Sequence, residues 1–383
     1  MQTVTVEKMV FGGLGLARTS SGVLFVENGL PGEVLEVVPE SKKHDCNVAR
    51  TIKIIEHSQF RREPTCRHAG VCGGCDWLFI EYQGQLQFKK EIFIDCLKRI
   101  GKLESLPEPE TYASTEFNYR IRAQIKVDQN GVCGFYRKKT NDIVAIEHCP
   151  LLCDQINELL KTISSKPEHI PGGNLKVLSG DNGLASDPLL PSITKRETLV
   201  KVGGKTFEVS GGSFFQSNRF LLEKLGNWAR PVVGGDFCVD LFGGTGFFSI
   251  MLSDNFHRGL LIESVETQVE TARKNYVSNG ISSFTALHCF AEQIQVVIPA
   301  RPDLLIIDPP RHGLTKKASE GVRRVGAEKI LYVSCNPSTQ ARDIFFLTKQ
   351  CGYTVEKMAL FDMYPNTYHL ETAVLLRRGR GKD

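Results

Sequence analysis

Four short apolar runs in the second half of the chain each end at or near a polar residue. They are FCVDLF (237–242), LLIES (260–264), DLLIID (303–308) and ILYVS (330–334). Buried parallel strands have this pattern, because helices cover both faces of the sheet. From about residue 205 onward the sequence therefore predicts an α/β domain with an open, Rossmann-like sheet, whose ligands bind beyond the carboxyl ends of the strands.

A glycine turn follows the first of these runs. In VDLFGGTG (239–246), Gly243 and Gly244 allow a tight turn and a close approach of the backbone to a ligand. Ser249 stands where a dinucleotide fingerprint has glycine, and Glu263, at the end of the next run, is placed to accept hydrogen bonds from ribose hydroxyls. A ribose acid without a pyrophosphate cradle favours S-adenosylmethionine over NAD. The alternative is a turn that serves packing alone.

Three further residues are candidates for chemistry at the same sheet edge. Cys335 directly follows ILYVS, at the exposed end of the predicted strand, and precedes Asn336 and Pro337, which are typical of a helix N-cap and first turn. A thiol at a helix N-terminus is favoured as thiolate, so Cys335 is predicted to be a nucleophile; the alternative is a buried, inert cysteine. Asp308 ends the neighbouring strand before two prolines, and Glu371, at the start of a final strand, is a candidate base or else a solvated acid.

The N-terminal half has a different pattern. Residues 1–57 contain short β-type runs separated by turn residues, which predict a small antiparallel, OB-like barrel. Residues 81–101 have the apolar spacing of a long helix, and residues 117–147 predict a hairpin that turns near 128–131. Six cations and two tyrosines lie on or beside that hairpin: Arg120, Arg122, Lys126, Arg137, Lys138, Lys139, Tyr119 and Tyr136. They indicate an RNA-binding face, with a charge-protected sheet edge as the alternative.

Three cysteines, Cys66, Cys72 and Cys75, are concentrated in CRHAGVCGGC. Such a set needs a fourth ligand. Cys149 is the first candidate, because its Cys-Pro sequence resembles the end of a bacterial ferredoxin cysteine run, and Cys153 is the second. An iron-sulfur cluster and a tetrahedral zinc ion are both open at this point.

Composition limits the class of protein. The formal charge of +4 is too small to indicate nucleic acid by itself, so that prediction depends on where the cations lie. Twelve cysteines without a secretory signal predict reduced thiols, metal ligands or a nucleophile in a cytoplasmic protein. No apolar run approaches the length of a membrane span, and the sequence indicates no membrane or protein partner.

Five motifs together resemble the S-adenosylmethionine-dependent RNA 5-methyluridine methyltransferases: FFQSN (214–218), VDLFGGTG (239–246), DPPR (308–311), SCNPST (334–339) and HLET (369–372). Near the N-terminus, GGLGLAR and LPGE resemble the TRAM domain of the ribosomal-RNA members. The cysteines Cys66, Cys72 and Cys75 with a distant fourth resemble the [4Fe-4S] ligands of those members.

The resemblance implies roles for particular residues. Cys335 would be the nucleophile and Glu371 the base, while Gln216, Phe242, Glu263 and Asp308 would line the cofactor and uracil site. Two positions depart from the family pattern. Gly243 replaces a cysteine found in many members, and Phe247 replaces an asparagine found in several, so no bond from the Phe247 side chain to the cofactor is expected.

The sequence thus predicts three domains and one activity. Residues 1–57 form a TRAM-like barrel, 58–205 a central β domain with the metal cluster and basic hairpin, and 206–383 the methyltransferase domain. The predicted reaction is methylation of carbon 5 of a uridine in RNA, with large-subunit ribosomal RNA favoured by resemblance. The alternatives are a transfer-RNA uridine methyltransferase and a non-catalytic iron-sulfur protein that binds RNA. An amino-methyltransferase and a nicotinamide dehydrogenase are disfavoured by Arg311 and by Ser249 respectively.

Overall fold

The computed structural model describes residues 1–43, 46–165, 170 and 173–379, without the side chains of residues 41–46. Five strands at the N-terminus form a closed barrel in the order β1-β2-β3-β5-β4. Their bounds are β1 Gln2–Met9, β2 Gly15–Thr19, β3 Gly22–Glu27, β4 Val34–Lys43 and β5 Cys46–Glu56. Alternate side chains such as Val4, Val6 and Val26 fill its interior, as the period-two pattern predicts. The predicted barrel is confirmed, but its pairing is not antiparallel throughout, because β3 and β5 run parallel.

A buried ion pair joins the barrel to the segment that follows it. The Glu33 side chain is fully buried and accepts hydrogen bonds from Nε and Nη2 of Arg61 at 2.5 and 2.8 Å. The amide of Leu30 donates to the same carboxylate at 2.9 Å. Because a buried carboxylate is costly without such partners, these bonds fix where the chain leaves the barrel.

A long helix and a short strand come next: α1 Tyr82–Arg99 and β6 Glu110–Tyr112. The predicted helix over 81–101 is confirmed, and its buried face includes Phe88, Ile92 and Phe93. These side chains share a core with strands of the C-terminal sheet, so α1 packs directly on the catalytic half of the chain.

The middle of the chain forms a five-stranded sheet in the order β11-β10-β7-β8-β9, covered on one side by a helix. The bounds are β7 Arg122–Val127, β8 Cys133–Tyr136, β9 Ile143–Ala145, α2 Asp154–Ser165, β10 Asn174–Gly180 and β11 Gly183–Asp187. The predicted hairpin is β7–β8, and in its turn Asp128 Oδ1 accepts bonds from the amides of Asn130 and Val132. A two-stranded ribbon follows, β12 Glu197–Val202 with β13 Lys205–Ser210. The predicted domain boundary at residue 205 lies between its two strands.

The C-terminal half is an eight-stranded sheet in the order β16-β15-β14-β17-β18-β20-β19-β6. Its remaining strands are β14 Gly235–Leu241, β15 Phe256–Glu263, β16 Phe284–His288, β17 Leu304–Ile307, β18 Lys329–Ser334, β19 Tyr353–Phe361 and β20 Glu371–Arg378. Its helices are α3 Leu222–Asn227, α4 Phe247–Met251, α5 Glu266–Ser278, α6 Ile294–Val297, α7 Lys316–Val325 and α8 Pro337–Cys351. None of the described helices has the length and apolar character needed to cross a membrane.

The direction of these strands decides where a ligand can bind. Strands β14 to β18 are parallel, and β20 is antiparallel to both β18 and β19. The strand order reverses between β14 and β17, which creates a crevice beyond their carboxyl ends. The predicted α/β sheet is confirmed, and the four apolar runs are β14, β15, β17 and β18.

Candidate active site

The crevice at the carboxyl ends of β14, β15, β17 and β18 is part of a cavity of about 1210 Å³. Every residue that the sequence placed in a site lines this cavity: Cys335, Glu371, Gln216, Phe242, Gly244, Glu263, Asp308, Cys66, Cys72, Cys75 and Cys149. These positions come from segments far apart in the chain. The fold therefore brings the candidate chemistry, the glycine turn and the cysteine loop to one space.

Cys335 lies in a turn fixed from two sides. Asn336 caps α8, since its Oδ1 accepts from the amides of Ser338 at 3.1 Å and Thr339 at 3.4 Å. The Nδ2 of Asn336 and the hydroxyl of Thr339 both donate to the carbonyl of Arg311, at 3.0 and 3.1 Å. The DPPR loop and the turn that carries the thiol are thus held together.

The acidity of Cys335 differs from what its position at a helix N-terminus predicts. Burial, and next the nearby Glu371, raise the pKa of the Cys335 thiol to about 12. The guanidinium of Arg311 opposes this shift through its charge and a hydrogen bond. Desolvation outweighs the helix end here, and Arg311 is the neighbouring side chain that favours the thiolate.

The carboxyl groups of the site are buried close to one another. Burial raises the pKa of Glu371 well above its ordinary value, Asp308 raises it further, and Arg311 opposes both. Burial and the charge of Asp240 raise the pKa of Asp308 as well. Carboxyls in this arrangement resist ionising together, so each one that ionises makes the next a stronger base.

The glycine turn and Glu263 form the other end of the site. The amides of Gly244 and Val265 donate to the two oxygens of Glu263 at 3.1 and 2.8 Å. Phe242 and Gly244 have left-handed φ angles of 65° and 54°. Gln216 is 4% exposed, and its amide oxygen has no hydrogen-bond partner among the described residues. A cavity lined by a buried acceptor without a partner and by an acid held by backbone amides suits a ligand rich in N–H and O–H groups.

The relatives of the chain agree with this geometry. Residues 195–379 match the family model described as tRNA (uracil-5-)-methyltransferase. An RNA methyltransferase of Aquifex aeolicus is 33% identical over 97% of both chains. The 23S rRNA (uracil(1939)-C(5))-methyltransferase RlmD of Vibrio vulnificus is 30% identical over 98% of this chain and 96% of its own. The chain belongs to the RNA uracil-C5 methyltransferase family.

A solved structure supports the same fold for this methyltransferase. It is the Pyrococcus abyssi tRNA (uracil-54, C5)-methyltransferase in complex with S-adenosyl-L-homocysteine, with a TM-score of 0.76 and 22% identity. The likeness covers 97% of this chain and all of the other. This likeness shows the fold, and membership of the family makes the chain an S-adenosylmethionine-dependent enzyme that acts on RNA.

Asp240 is a buried group of the methyltransferase that the sequence prediction missed. Its Oδ2 accepts from the amide of Ser249 at 3.0 Å, while its Oδ1 has no partner among the described residues. Burial raises the pKa of Asp240 to about 7. The Asp in VDLFGG, directly before the glycine turn, was the available signal. Beside it, a Cβ on Gly243 would lie 2.4 Å from Cγ of Leu261, so the glycine is required for packing.

The loop between β19 and β20 supplies three more cavity residues, Tyr364, Thr367 and His369. Burial lowers the pKa of His369 to about 4, and Arg311 adds to the effect. Helix α1 holds this loop, because Lys89 Nζ donates to Asp362 Oδ1 at 2.6 Å and to the Tyr364 carbonyl at 3.0 Å. No pattern in the sequence connects these positions.

Asn366, in the same loop, is held by the helix and by the cysteine loop. It is fully buried with a left-handed φ of 66°. Gln85 Nε2 donates to its Oδ1 at 3.0 Å, and its own amide donates to Gln85 Oε1 at 2.7 Å. Its carbonyl accepts from the amide of Trp77, two residues after Cys75, at 3.0 Å. The cysteine loop is therefore hydrogen-bonded to the loop that leads to Glu371.

The barrel also reaches this loop. Phe11 and Tyr368 make an edge-to-face contact with ring centroids 6.0 Å apart. A Cβ on Gly13 would lie 3.1 Å from Cδ1 of Tyr368, and the Gly13 carbonyl accepts from Trp77 Nε1 at 3.4 Å. The turn between β1 and β2 thus packs against the residue next to His369.

The cysteines of the loop come close to Cys149. After burial, the charges of Cys149, Cys72 and Cys66 raise the pKa of Cys75. The amide of Gly74 donates to the sulfur of Cys72 at 3.4 Å. Cys153 is 2% exposed and belongs to the hydrophobic core, away from the cavity lining. Over the residues that the structure describes, no three histidine, cysteine or acidic side chains converge as the ligands of a metal ion.

Proposed function

We propose that this methyltransferase methylates carbon 5 of a uridine in large-subunit ribosomal RNA through a covalent bond between Cys335 and carbon 6 of the uracil. The interaction between Cys335, Glu371 and Arg311 inside the cavity that Gly244 and Glu263 also line is the observation that supports this most. The Vibrio vulnificus relative named for 23S rRNA favours ribosomal RNA. The tRNA family model makes a transfer-RNA uridine the second candidate.

The chemistry requires a nucleophile. Carbon 5 of uracil is a weak nucleophile, and addition of a thiolate at carbon 6 makes it enolate-like. Bound S-adenosylmethionine supplies a methyl group on a positively charged sulfur. Cys335 forms the sulfur–carbon bond, and Arg311 lowers the cost of ionising the buried thiol. The target base must leave the RNA stack to reach the crevice, which suits a loop or an unpaired strand.

The chemistry also requires a base. After transfer, the hydrogen on carbon 5 leaves as a proton to Glu371, and the bond to Cys335 then breaks to release the thiolate. The raised pKa of Glu371 increases its affinity for that proton. The same shift means that Glu371 gives up its own proton less readily, and it must be ionised before it can accept the proton from carbon 5.

Cofactor positions follow from the same cavity. Glu263 is assigned to the ribose hydroxyls, and Gln216 offers its unpaired amide oxygen to a donor of the cofactor or of uracil. Phe242, Gly244 and Asp308 complete the lining between these two positions.

The four cysteines are assigned to a [4Fe-4S] cluster held by Cys66, Cys72, Cys75 and Cys149. Four thiols that interact electrostatically, one of them already accepting an N–H bond, match the donor set of such clusters. The thiolates of these four cysteines would hold the cluster. Iron and sulfide analysis of anaerobically purified protein tests the assignment against zinc. Cys149→Ser should lose the cluster, and Cys153→Ser is the matched control.

The proposal keeps the predicted division of labour. Residues 1–57 act as a TRAM-like RNA-binding barrel, 58–205 as the central domain with the cluster, and 206–383 as the methyltransferase domain. A cytoplasmic location, where ribosomal RNA and S-adenosylmethionine are both available, belongs to the same proposal.

The test uses protein purified anaerobically and unmodified ribosomal RNA. After incubation with S-adenosylmethionine, the RNA is digested and 5-methyluridine is measured by mass spectrometry. Cys335→Ala should abolish transfer, Glu371→Gln should trap a covalent protein–RNA adduct, and Cys351→Ala, at the other end of α8, is the matched control. A fully active Cys335→Ala protein would refute the mechanism, and methylation of transfer RNA alone would favour the second candidate.

A further inference from the structure

One face of β7 carries a row of polar side chains. Arg120, which precedes the strand in extended backbone, is followed at alternate positions by Arg122, Gln124 and Lys126, and all four line the active-site cavity. Side chains at alternate positions of a strand point to the same face. The intervening Ala123, Ile125 and Val127 are buried in the core that α2 shares. The row therefore faces the cavity along its whole length.

The cations of this row form no ion pair with a carboxylate among the described residues, although Arg120 lies near the thiols of Cys75 and Cys149. Arg120 Nε donates to the carbonyl of Arg122, and Arg122 Nε to that of Ser213, so each guanidinium keeps its outer nitrogens for another acceptor. Lys126 Nζ bonds only the amide oxygen of Asn174. Neighbouring like charges repel in a half-buried position, and an anionic ligand removes that cost.

The other cations of the hairpin differ. Lys139 pairs with Glu27 at 2.6 Å, and Lys138 lies 3.8 Å from Asp76. Two of the six cations that the sequence grouped together thus have carboxylates beside them. The contrast separates the row on β7 from a general basic surface.

Aromatic rings accompany the row. Lys126 Nζ lies 4.8 Å from the ring centre of Tyr136, which is 40% exposed. The Arg122 guanidinium lies 5.8 Å from the ring centre of Phe214, which is 53% exposed. Exposed rings beside unpaired cations suit a strand with bases to stack and phosphates to neutralise.

We propose that Arg120, Arg122, Gln124 and Lys126 form a track for an unpaired RNA strand that leads to Cys335. This inference rests on the proposed function. It adds that the RNA next to the target uridine is bound as a single strand. Alternate residues of a strand are about 6.8 Å apart, so the row spans roughly 20 Å. That length matches about three nucleotides of an extended backbone, with one cation for each phosphate.

The first test is the salt dependence of binding. The probe is a single-stranded RNA of about a dozen nucleotides with a central uridine, in comparison with the same RNA paired to its complement. For single strands the slope of log affinity against log salt is about 0.7 for each phosphate contact. The variant Arg120→Gln/Arg122→Gln/Lys126→Gln should reduce the slope by about 2 and weaken binding, roughly tenfold for each cation removed.

Lys161→Gln is the matched control, because Lys161 is an exposed cation on α2, behind the same sheet. It should leave the slope unchanged. Affinity for S-adenosylmethionine should be the same in all variants, which checks that the triple variant is folded.

A wild-type slope in the triple variant would overturn the track, even if the wild-type protein methylates RNA. A loss confined to the paired probe would assign the row to duplex RNA and would also overturn the proposal. Failure of the proposed function shows itself separately, as transfer by Cys335→Ala.

Discussion

Replacing Lys89 by methionine tests how helix α1 holds the loop between β19 and β20, which leads to Glu371. Lys89 and Asp362 are both fully buried, with 2.6 Å between Nζ and Oδ1. Burial lowers the pKa of Lys89, and Asp362 opposes that shift. Methionine keeps most of the length of the side chain and removes the charge. It leaves the Asp362 carboxylate without its cation, while Asp362 Oδ2 already has no partner among the described residues.

The expected cost follows from the burial of both groups. Removing one partner of a buried ion pair lowers the free energy of unfolding by about 3–5 kcal/mol. Lys89→Met/Asp362→Asn should recover part of this loss, because a neutral buried amide without a partner costs only about 1–3 kcal/mol. Stability should therefore rank wild type first, the double variant second and Lys89→Met last.

Urea unfolding followed by tryptophan fluorescence measures this order, since Lys89 Nζ lies 5.7 Å from the ring centre of Trp77. The same variants should lose kcat more than affinity for S-adenosylmethionine, because Asp362 begins the loop that carries Tyr364 and His369. A double variant no more stable than Lys89→Met would refute the reasoning about the isolated carboxylate. An unchanged kcat in folded Lys89→Met would refute the link to the loop.

Three further predictions concern single residues. The pKa of His369 is lowered to about 4, so its contribution to stability is present above its ordinary pKa of 6.5 and is lost as the pH falls toward 4. Relative to His369→Gln, the wild type should lose about 2–3 kcal/mol of unfolding free energy between those pH values. The same pH dependence of the unfolding free energy in both proteins, measured with urea, would contradict this. Cys75→Ser should weaken RNA binding and lower kcat through the Trp77–Asn366 hydrogen bond, with nearly unchanged affinity for S-adenosylmethionine in calorimetry. Gly243→Ala places its Cβ against Leu261 and should cost about 1–3 kcal/mol in urea unfolding; an unchanged midpoint would show that the turn relaxes freely.

Local patterns predicted the elements that carry the site. Long apolar runs marked β14, β15, β17 and β18, because strands buried on both faces leave a continuous signal. The cap of α8 was predicted from Asn336 and Pro337, whose effects are local. Strand β16 was missed, because FTALH is short and mixes polar with apolar residues.

Features that depend on distant contacts could not be predicted. The sequence predicts Lys89 to be a polar residue on the exposed face of an amphipathic helix. In the structure it is buried against Asp362, 273 positions away. The pKa of Cys335 was predicted from the helix end alone, whereas burial and Glu371 decide it. Division of the basic hairpin into paired and unpaired cations likewise required the positions of Glu27 and Asp76.

The contact between Gly13 and Tyr368 bears on how freely the parts of this protein can be exchanged. An RNA-binding barrel connected only by a linker could be replaced by a barrel of different specificity. Here the barrel turn packs so closely on the loop between β19 and β20 that a Cβ at position 13 would lie 3.1 Å from Tyr368. A chimaera with a foreign barrel would have to keep Phe11 and Gly13 matched to Tyr368, or it would disturb the loop that carries His369 together with the choice of RNA.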